Sequence, residues 1–324
     1  MKRFSTMIRI LTIGVLVVFS GATAAQDYPI KPIRIILPQA PGGSSTALAR
    51  LIGQKLTENW GQPVIVDNRP GGNGLIATQA LLKSPPDGYT ARYVTTAEAT
   101  LPSLVPKLPY DTIKDFAPVA TLVTGVYVLV LHPSLPVKSV KELIALAKAK
   151  PGQLNFGSSG NGQGAHLAAE QLKILAGIKM QHIPYKGTGP AMIDLLAGRI
   201  ALMFTTPFNA VSRVKSGRLK ALAVGSETRV SAMPQVPTFT ESGLPGMDVN
   251  VWHGIVMPGG TPKAIIEKLS AEIGRILTTP DVKKFLEAQG FEPFISTPDQ
   301  FVALFKADMI KYAKIVETAN IRIE

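Results

Sequence analysis

The feature that most constrains this chain is a unit that occurs twice: a short apolar strand, a glycine- and serine-rich loop, and an amphipathic helix. In the first copy, Ile33-Arg34-Ile35-Ile36-Leu37 has the β-branched character of a buried strand. Pro38-Gln39-Ala40-Pro41-Gly42-Gly43-Ser44-Ser45-Thr46 follows, and Ala47, Leu48, Leu51, Ile52 and Leu56 then recur at helical spacing up to Trp60. In the second copy, Leu154-Asn155-Phe156 leads into Gly157-Ser158-Ser159-Gly160-Asn161-Gly162-Gln163-Gly164. A helix from Ala165 through Leu167, Ala168, Leu172 and Leu175 comes next. The first N–H groups of a helix lack intrahelical partners, and its dipole is positive there. Such a loop suits an anion, carboxylate or phosphate, although many strand-to-helix turns bind nothing. Neither loop contains a charged residue. Facing each other, they would hold a small dianion on backbone N–H groups and hydroxyls alone.

The rest of the chain repeats the strand–loop–helix theme. Val64–Val66 reads as a strand ending in Asp67-Asn68-Arg69-Pro70-Gly71-Gly72-Asn73-Gly74, with a helix over 75–83 and a strand over 90–95 ending in Thr95-Thr96. Two apolar runs, 119–123 and 126–131, flank Gly125 as a crossover. After a helix over 137–150 and the second glycine loop come strands at 181–184, 200–204 and 219–224, with helices at 190–197 and 208–216. Residues 233–247 show no clear element; 251–257 reads as a strand, and helices at 262–277, 281–289 and 298–319 close the chain. Repeated units of this kind predict an α/β fold of mainly parallel sheets flanked by helices, with ligands at the carboxyl ends of strands. Crossovers near 120–126 and 224–228 divide the chain into one lobe of 26–123 plus 226–324 and a second of 124–225, hinged around a cleft.

Charge and composition exclude several classes. The 324-residue chain carries a net charge of +12, but its basic residues are scattered without a run of five, and no aromatic stripe accompanies them. A nucleic-acid groove is therefore not supported. Lys2, Arg3 and Arg9, the apolar stretch 10–19, and an Ala-x-Ala site at Ala22–Ala24 spell a cleavable signal peptide over 1–25. Its removal lowers the net charge to +9. With no cysteine there is no disulfide, no thiolate metal site and no lipidated cysteine. A periplasmic protein fits. No Gly-x-Ser-x-Gly elbow, Walker-type loop or Gly-x-Gly-x-x-Gly occurs, and His132, His166, His182 and His253 lack metal-ligand spacing. No catalytic residue, metal or cofactor is assigned.

The ordered motifs Tyr-Pro-Ile-Lys-Pro-Ile at 28–33, Ala-Pro-Gly-Gly-Ser-Ser at 40–45, Asn-Arg-Pro-Gly-Gly at 68–72 and Pro-Asp-Gly-Tyr-Thr at 86–90 resemble the Bug-type solute-binding proteins. These are the periplasmic receptors of tripartite tricarboxylate transporters. Gly-Ser-Ser-Gly-x-Gly…His-Leu at 157–167, His-Ile-Pro-Tyr-Lys-Gly at 182–187, Asp-Leu-Leu-Ala-Gly-Arg at 194–199 and Pro-Gly-Gly-Thr-Pro at 258–262 extend the resemblance over the mature chain. It implies two lobes closing on a small carboxylate, a membrane permease as partner, and no catalysis. The family's carboxylate pocket corresponds to loops 40–46 and 157–166 here. Candidate ligand-binding residues are Gly42, Gly43, Ser44, Ser45, Thr46, Ser158, Ser159, Asn161, Gly162, Gln163, Gly164 and His166. Thr96, Tyr185, Thr205, Thr206 and Phe208 are candidates for the distal end. The family usually has acidic residues where this chain has Thr46 and Thr205, so ligand identity does not transfer. The expected ligand is a di- or tricarboxylate, an acidic amino acid or an aromatic acid, bound by a monomer. A ligand-sensing receptor for a signalling partner and an α/β enzyme on a carboxylated or phosphorylated metabolite are the alternatives.

Overall fold

The computed structural model describes residues 28–321 except 106, 248 and 249; the signal segment at 1–25 lies outside them. The chain starts with strand β1 (Ile33–Leu37), helix α1 (Ser44–Trp60), β2 (Val64–Asn68), α2 (Leu75–Leu82) and β3 (Thr90–Thr95). Strand β1 pairs parallel with both β2 and β3, because each intervening helix returns the chain to the edge it left. Leu48, Ile52 and Leu56 lie on one face of α1 at a spacing of four, each 1% exposed. Burial of each is worth roughly 1.5–3 kcal/mol. Gly61, at φ 67°, ends the helix with its N–H on the Thr57 carbonyl.

A short helix, α3 (Leu101–Leu104), precedes the long strand β4 (Phe116–Val126). The chain then enters a second sheet: β5 (Val128–Leu131), α4 (Val140–Ala149), β6 (Asn155–Ser158), α5 (Gly164–Ala176), β7 (Gln181–Pro184), α6 (Thr188–Leu196), β8 (Leu202–Thr205), α7 (Pro207–Lys215) and β9 (Lys220–Val224). It returns through β10 (Asn250–Pro258), α8 (Lys263–Leu277), α9 (Pro280–Ala288), β11 (Phe291–Pro293) and α10 (Pro298–Thr318). The first sheet has the order β11-β4-β10-β3-β1-β2 and the second β7-β6-β8-β5-β9.

The molecule is thus a mixed α/β protein built on two sheets. Each sheet is mainly parallel, as the repeated units predict, with β10 and β11 reversed in the first and β5 in the second. Strands β10 and β11 pair antiparallel with β4, β10 with β3, and β5 with both β8 and β9. Strands β5 and β10, by which the chain enters each sheet from the other, run against the βαβ strands they join. One correction concerns the break in the crossover. Gly125 stays inside β4, where it faces Phe291 across the ladder and a Cβ would come within 2.7 Å of that ring. The change of sheet falls at Tyr127, whose carbonyl accepts a 2.8 Å hydrogen bond from the Gly225 N–H. The two connections between sheets are therefore tied to each other.

The loops of the two sheets also meet directly. The Ala40 N–H donates to the Lys186 carbonyl at 2.9 Å. A Cβ on Gly189 would stand 2.5 Å from the Pro41 carbonyl oxygen. On another side the Thr100 hydroxyl donates to the Gly162 carbonyl at 2.9 Å. Among the described residues, no helix is long and apolar enough to cross a membrane.

Candidate functional site

Where the two sheets face each other, a cavity of about 40 Å³ is lined by Gln39, Ser44, Ser45, Thr95, Tyr127, Ser159, Gln163, Gly164, Ala165, Thr188, Phe204, Thr205, Thr206, Val251 and His253. None of these side chains carries a formal charge at neutral pH. Four helices begin at its wall: α1 at Ser44, α5 at Gly164, α6 at Thr188 and α7 at Pro207. In none of the four does the N-cap side chain accept a backbone N–H of the first turn. Helix α4, whose Ser139 hydroxyl accepts from the Glu142 N–H, and α10, with a full capping box at Thr297 and Gln300, show the other arrangement. The ends of α1, α5 and α6 present N–H groups of their first turns, while α7 begins at Pro207, which has none, and its Asn209 N–H goes to the Thr206 carbonyl; each end carries about half a unit of positive charge.

The two glycine loops reach this wall differently. Ser44 and Ser45 line the cavity directly. Gly42 and Gly43 instead abut Gly189 and Thr188 of the second sheet. In the second loop the side chains with the richest chemistry turn inward. The fully buried Ser158 hydroxyl donates to the Gly160 carbonyl at 3.0 Å, accepts from the Gly160 N–H at 3.1 Å and meets His182 Nε2 at 2.6 Å. His166 Nδ1 accepts from the Gly162 N–H at 2.9 Å, which leaves its proton on Nε2, 3.4 Å from Glu170. The two imidazoles stack with centroids 3.7 Å apart. Burial first, then the neighbouring His166, pushes the His182 pKa down to about 3. Burial pushes Glu170 up, but hydrogen bonds from His166 and Lys173 outweigh it and hold the carboxyl below its ordinary value. What this loop offers the cavity is Ser159, Gln163 and the start of α5 at Gly164 and Ala165.

Of the candidates named from the sequence, Ser44, Ser45, Ser159, Gln163, Gly164, Thr205 and Thr206 come together at the cavity. Thr46 is buried on the far side of α1, where its hydroxyl accepts from Asn68 Nδ2 at 3.3 Å. Thr96 accepts the Trp252 N–H at 3.1 Å, and its neighbour Thr95 lines the cavity instead. The Tyr185 hydroxyl donates to Asp194 at 2.7 Å. Burial and then that carboxylate push its pKa up to about 12. Gly162 is packed under Leu104, and Asn161 and Phe208 are not among the lining residues. Sequence reasoning missed Gln39, Thr95, Tyr127, Thr188 and His253. His253 carried a signal, a polar residue in an otherwise apolar strand, whereas Val251 and Phe204 carried none. Among the described residues no cluster of three or more His, Asp or Glu suits a metal ion.

Residues 48–321 match the tripartite tricarboxylate transporter family receptor, TctC. The chain belongs to this family. It is similar to the periplasmic binding protein BugD, with 30% identity and a TM-score of 0.87 over 91% of this chain and all of that one. It is equally similar to Rpa4515 of R. palustris, solved with adipate, at 32% identity and TM-score 0.88 over 91% of this chain and all of that one. MatC from Rhodopseudomonas palustris, solved with bound malate, shares 30% identity at TM-score 0.85 over 89% of this chain and all of that one. TctC proteins are periplasmic solute-binding receptors of a two-lobed fold rather than enzymes, and this receptor shares that architecture.

Proposed function

We propose that this TctC receptor is exported by cleavage after residue 24 or 25, captures a small carboxylate between lobes 26–126 plus 226–324 and 127–225, the boundary expected at 123 moving to the change of sheet at Tyr127, and delivers it to a membrane permease of the tripartite tricarboxylate type. The observation that carries this reading is the convergence of four uncapped helix N-termini on a cavity with no charged side chain. Such a wall compensates anionic charge through backbone N–H groups and the hydroxyls of Ser44, Ser45, Ser159, Thr205 and Thr206. Charge-assisted hydrogen bonds contribute roughly 1.5–3 kcal/mol each. Four or five of them, less the cost of association and ordering, correspond to about −8 kcal/mol, a micromolar dissociation constant. The diacids with which two similar structures were solved, adipate and malate, support the same ligand class. Thr46, where relatives carry an acid, faces Asn68, so this departure leaves the cavity's charge unchanged. Thr205 lines the wall, and its lack of charge favours a ligand with more than one carboxylate.

The test is a thermal-shift screen of residues 26–324 against aliphatic di- and tricarboxylates, acidic amino acids and aromatic acids. A true ligand in excess over its dissociation constant raises the melting temperature. A folded protein whose melting temperature is indifferent to the whole panel overturns the carboxylate reading.

A further inference from the structure

The wall contributed by the first sheet holds a buried ring nitrogen without a hydrogen-bond partner among the described residues. His253 sits in β10 opposite Thr95 of β3, and both residues line the cavity. Its position depends on an irregularity in the sheet. His253 pairs with Val123 of β4, but the next residue, Gly254, pairs with Thr121, so Leu122 bulges from the ladder beside it. A bulge of this kind re-aims the neighbouring side chains. The imidazole is 2% exposed and meets Tyr93 and Phe291 edge-on, at centroid distances of 5.5 and 5.4 Å.

The two ring nitrogens differ. Nδ1 lies 2.7 Å from the Tyr93 hydroxyl, and Nε2 is buried with no hydrogen-bond partner among the described residues. The Tyr93 side chain is fully buried, and Nδ1 is the partner its hydroxyl has. A buried phenolic proton without an acceptor is costly. Tyr93 therefore donates, Nδ1 accepts, and the imidazole proton resides on Nε2. Burial keeps the ring neutral, so the wall carries an N–H donor without a charge.

We propose that His253 Nε2–H reads the end of the ligand remote from the helix N-termini and selects acids whose far end carries an oxygen acceptor, dicarboxylates first, over acids with an apolar tail. This rests on the carboxylate-receptor reading and adds a selectivity to it. An unpaired buried donor penalises an apolar tail, because closing over such a ligand leaves the N–H without a partner. A second carboxylate or a carbonyl oxygen satisfies it. Tyr93 is a positioning residue that acts by holding the tautomer.

Isothermal titration with matched pairs, succinate against butyrate and adipate against hexanoate, tests the assignment. The wild-type protein binds the diacid of at least one pair ten-fold or more tightly than its monoacid. His253→Phe, which keeps the ring and removes the N–H, lowers diacid affinity 10- to 100-fold and leaves monoacid affinity unchanged or higher. His253→Gln restores a donor near the Nε2 position and recovers most of the loss. Tyr93→Phe lowers diacid affinity three- to ten-fold and spares the monoacid. Equal weakening of both members by His253→Phe, or no discrimination by the wild type, overturns the role of His253 while the receptor reading stands. Binding of neither acid class by the wild type overturns both. If the phenylalanine variant does not fold, an unchanged diacid-to-monoacid ratio in Tyr93→Phe is the overturning result.

Discussion

The loops at 40–46 and 157–166 look alike in composition and lie at the starts of two helices, yet they are built in opposite ways. The first spends its hydroxyls on the cavity, through Ser44 and Ser45, and lets Gly42 and Gly43 touch the other sheet. The second offers Ser159 to the cavity but turns its other hydroxyl and its imidazole on itself. Ser158, backed by His182, holds Gly160, and His166 holds Gly162. One loop is an arm that contacts; the other is a frame that keeps backbone N–H groups aimed. A glycine-rich loop can become a preorganised anion site by either route, and composition does not tell which.

Substitutions separate the two roles. The largest effect is expected from Ser45→Glu, which places a carboxylate against a site selected for anions: affinity for any carboxylate ligand falls at least 100-fold in titration, with the melting temperature close to that of the wild type. Next comes the seam between the sheets. Gly189→Ala puts a methyl group against the Pro41 carbonyl, so the loops no longer close on each other, and affinity falls about ten-fold with little change in the unliganded protein's stability. Ser158→Ala acts on the frame and removes a partner from the Gly160 N–H and from His182. It costs about 1–3 kcal/mol in denaturant unfolding and leaves affinity within a few-fold. A loss of affinity larger than that of Ser45→Glu would reverse the comparison.

The smallest effect on binding is a pH dependence of stability, shared by His182 in the frame of the second loop and His253 in β10. The His182 pKa is pushed down to about 3 by burial and by His166, so the folded loop holds a neutral ring where the unfolded chain binds a proton near pH 6.5. The unfolded state therefore binds more protons as pH falls, and stability declines from about pH 6.5 towards 3, by at most about 1.4 kcal/mol per pH unit for that group. Melting curves between pH 7 and 4 measure the decline, which is shallower in His182→Phe. The first loop, with no titrating residue, contributes nothing to it.

Much of the fold was readable from periodicity: β1, α1, β3, β6, α5 and the closing helices follow apolar spacing that only one element type satisfies. The reversed strands were not, because β5 and β10 are apolar runs like any other and their direction is decided by which sheet they join. The three-residue β11 was too short to show. At the cavity, Ser44 and Ser45 followed from their place at a helix start. Thr96 and Thr95 differ only in which face of the chain each presents as β3 ends, and adjacent identical residues leave no trace of that choice. His166 and Ser158 had the right chemistry, but their partners, Gly162 and His182, were set by tertiary packing.

Tyr127 has two positions at once. It is the residue at which the chain changes sheet, tied there to Gly225, and its side chain borders the cavity beside Gly164. Points near an axle travel least. If the lobes turn about these paired connections, a group lodged against Tyr127 moves least, and the seam where Gly189 meets Pro41 opens as the lobes part. Release then proceeds as peeling, from the rim inward, and the last group to leave is the one lodged against the axle.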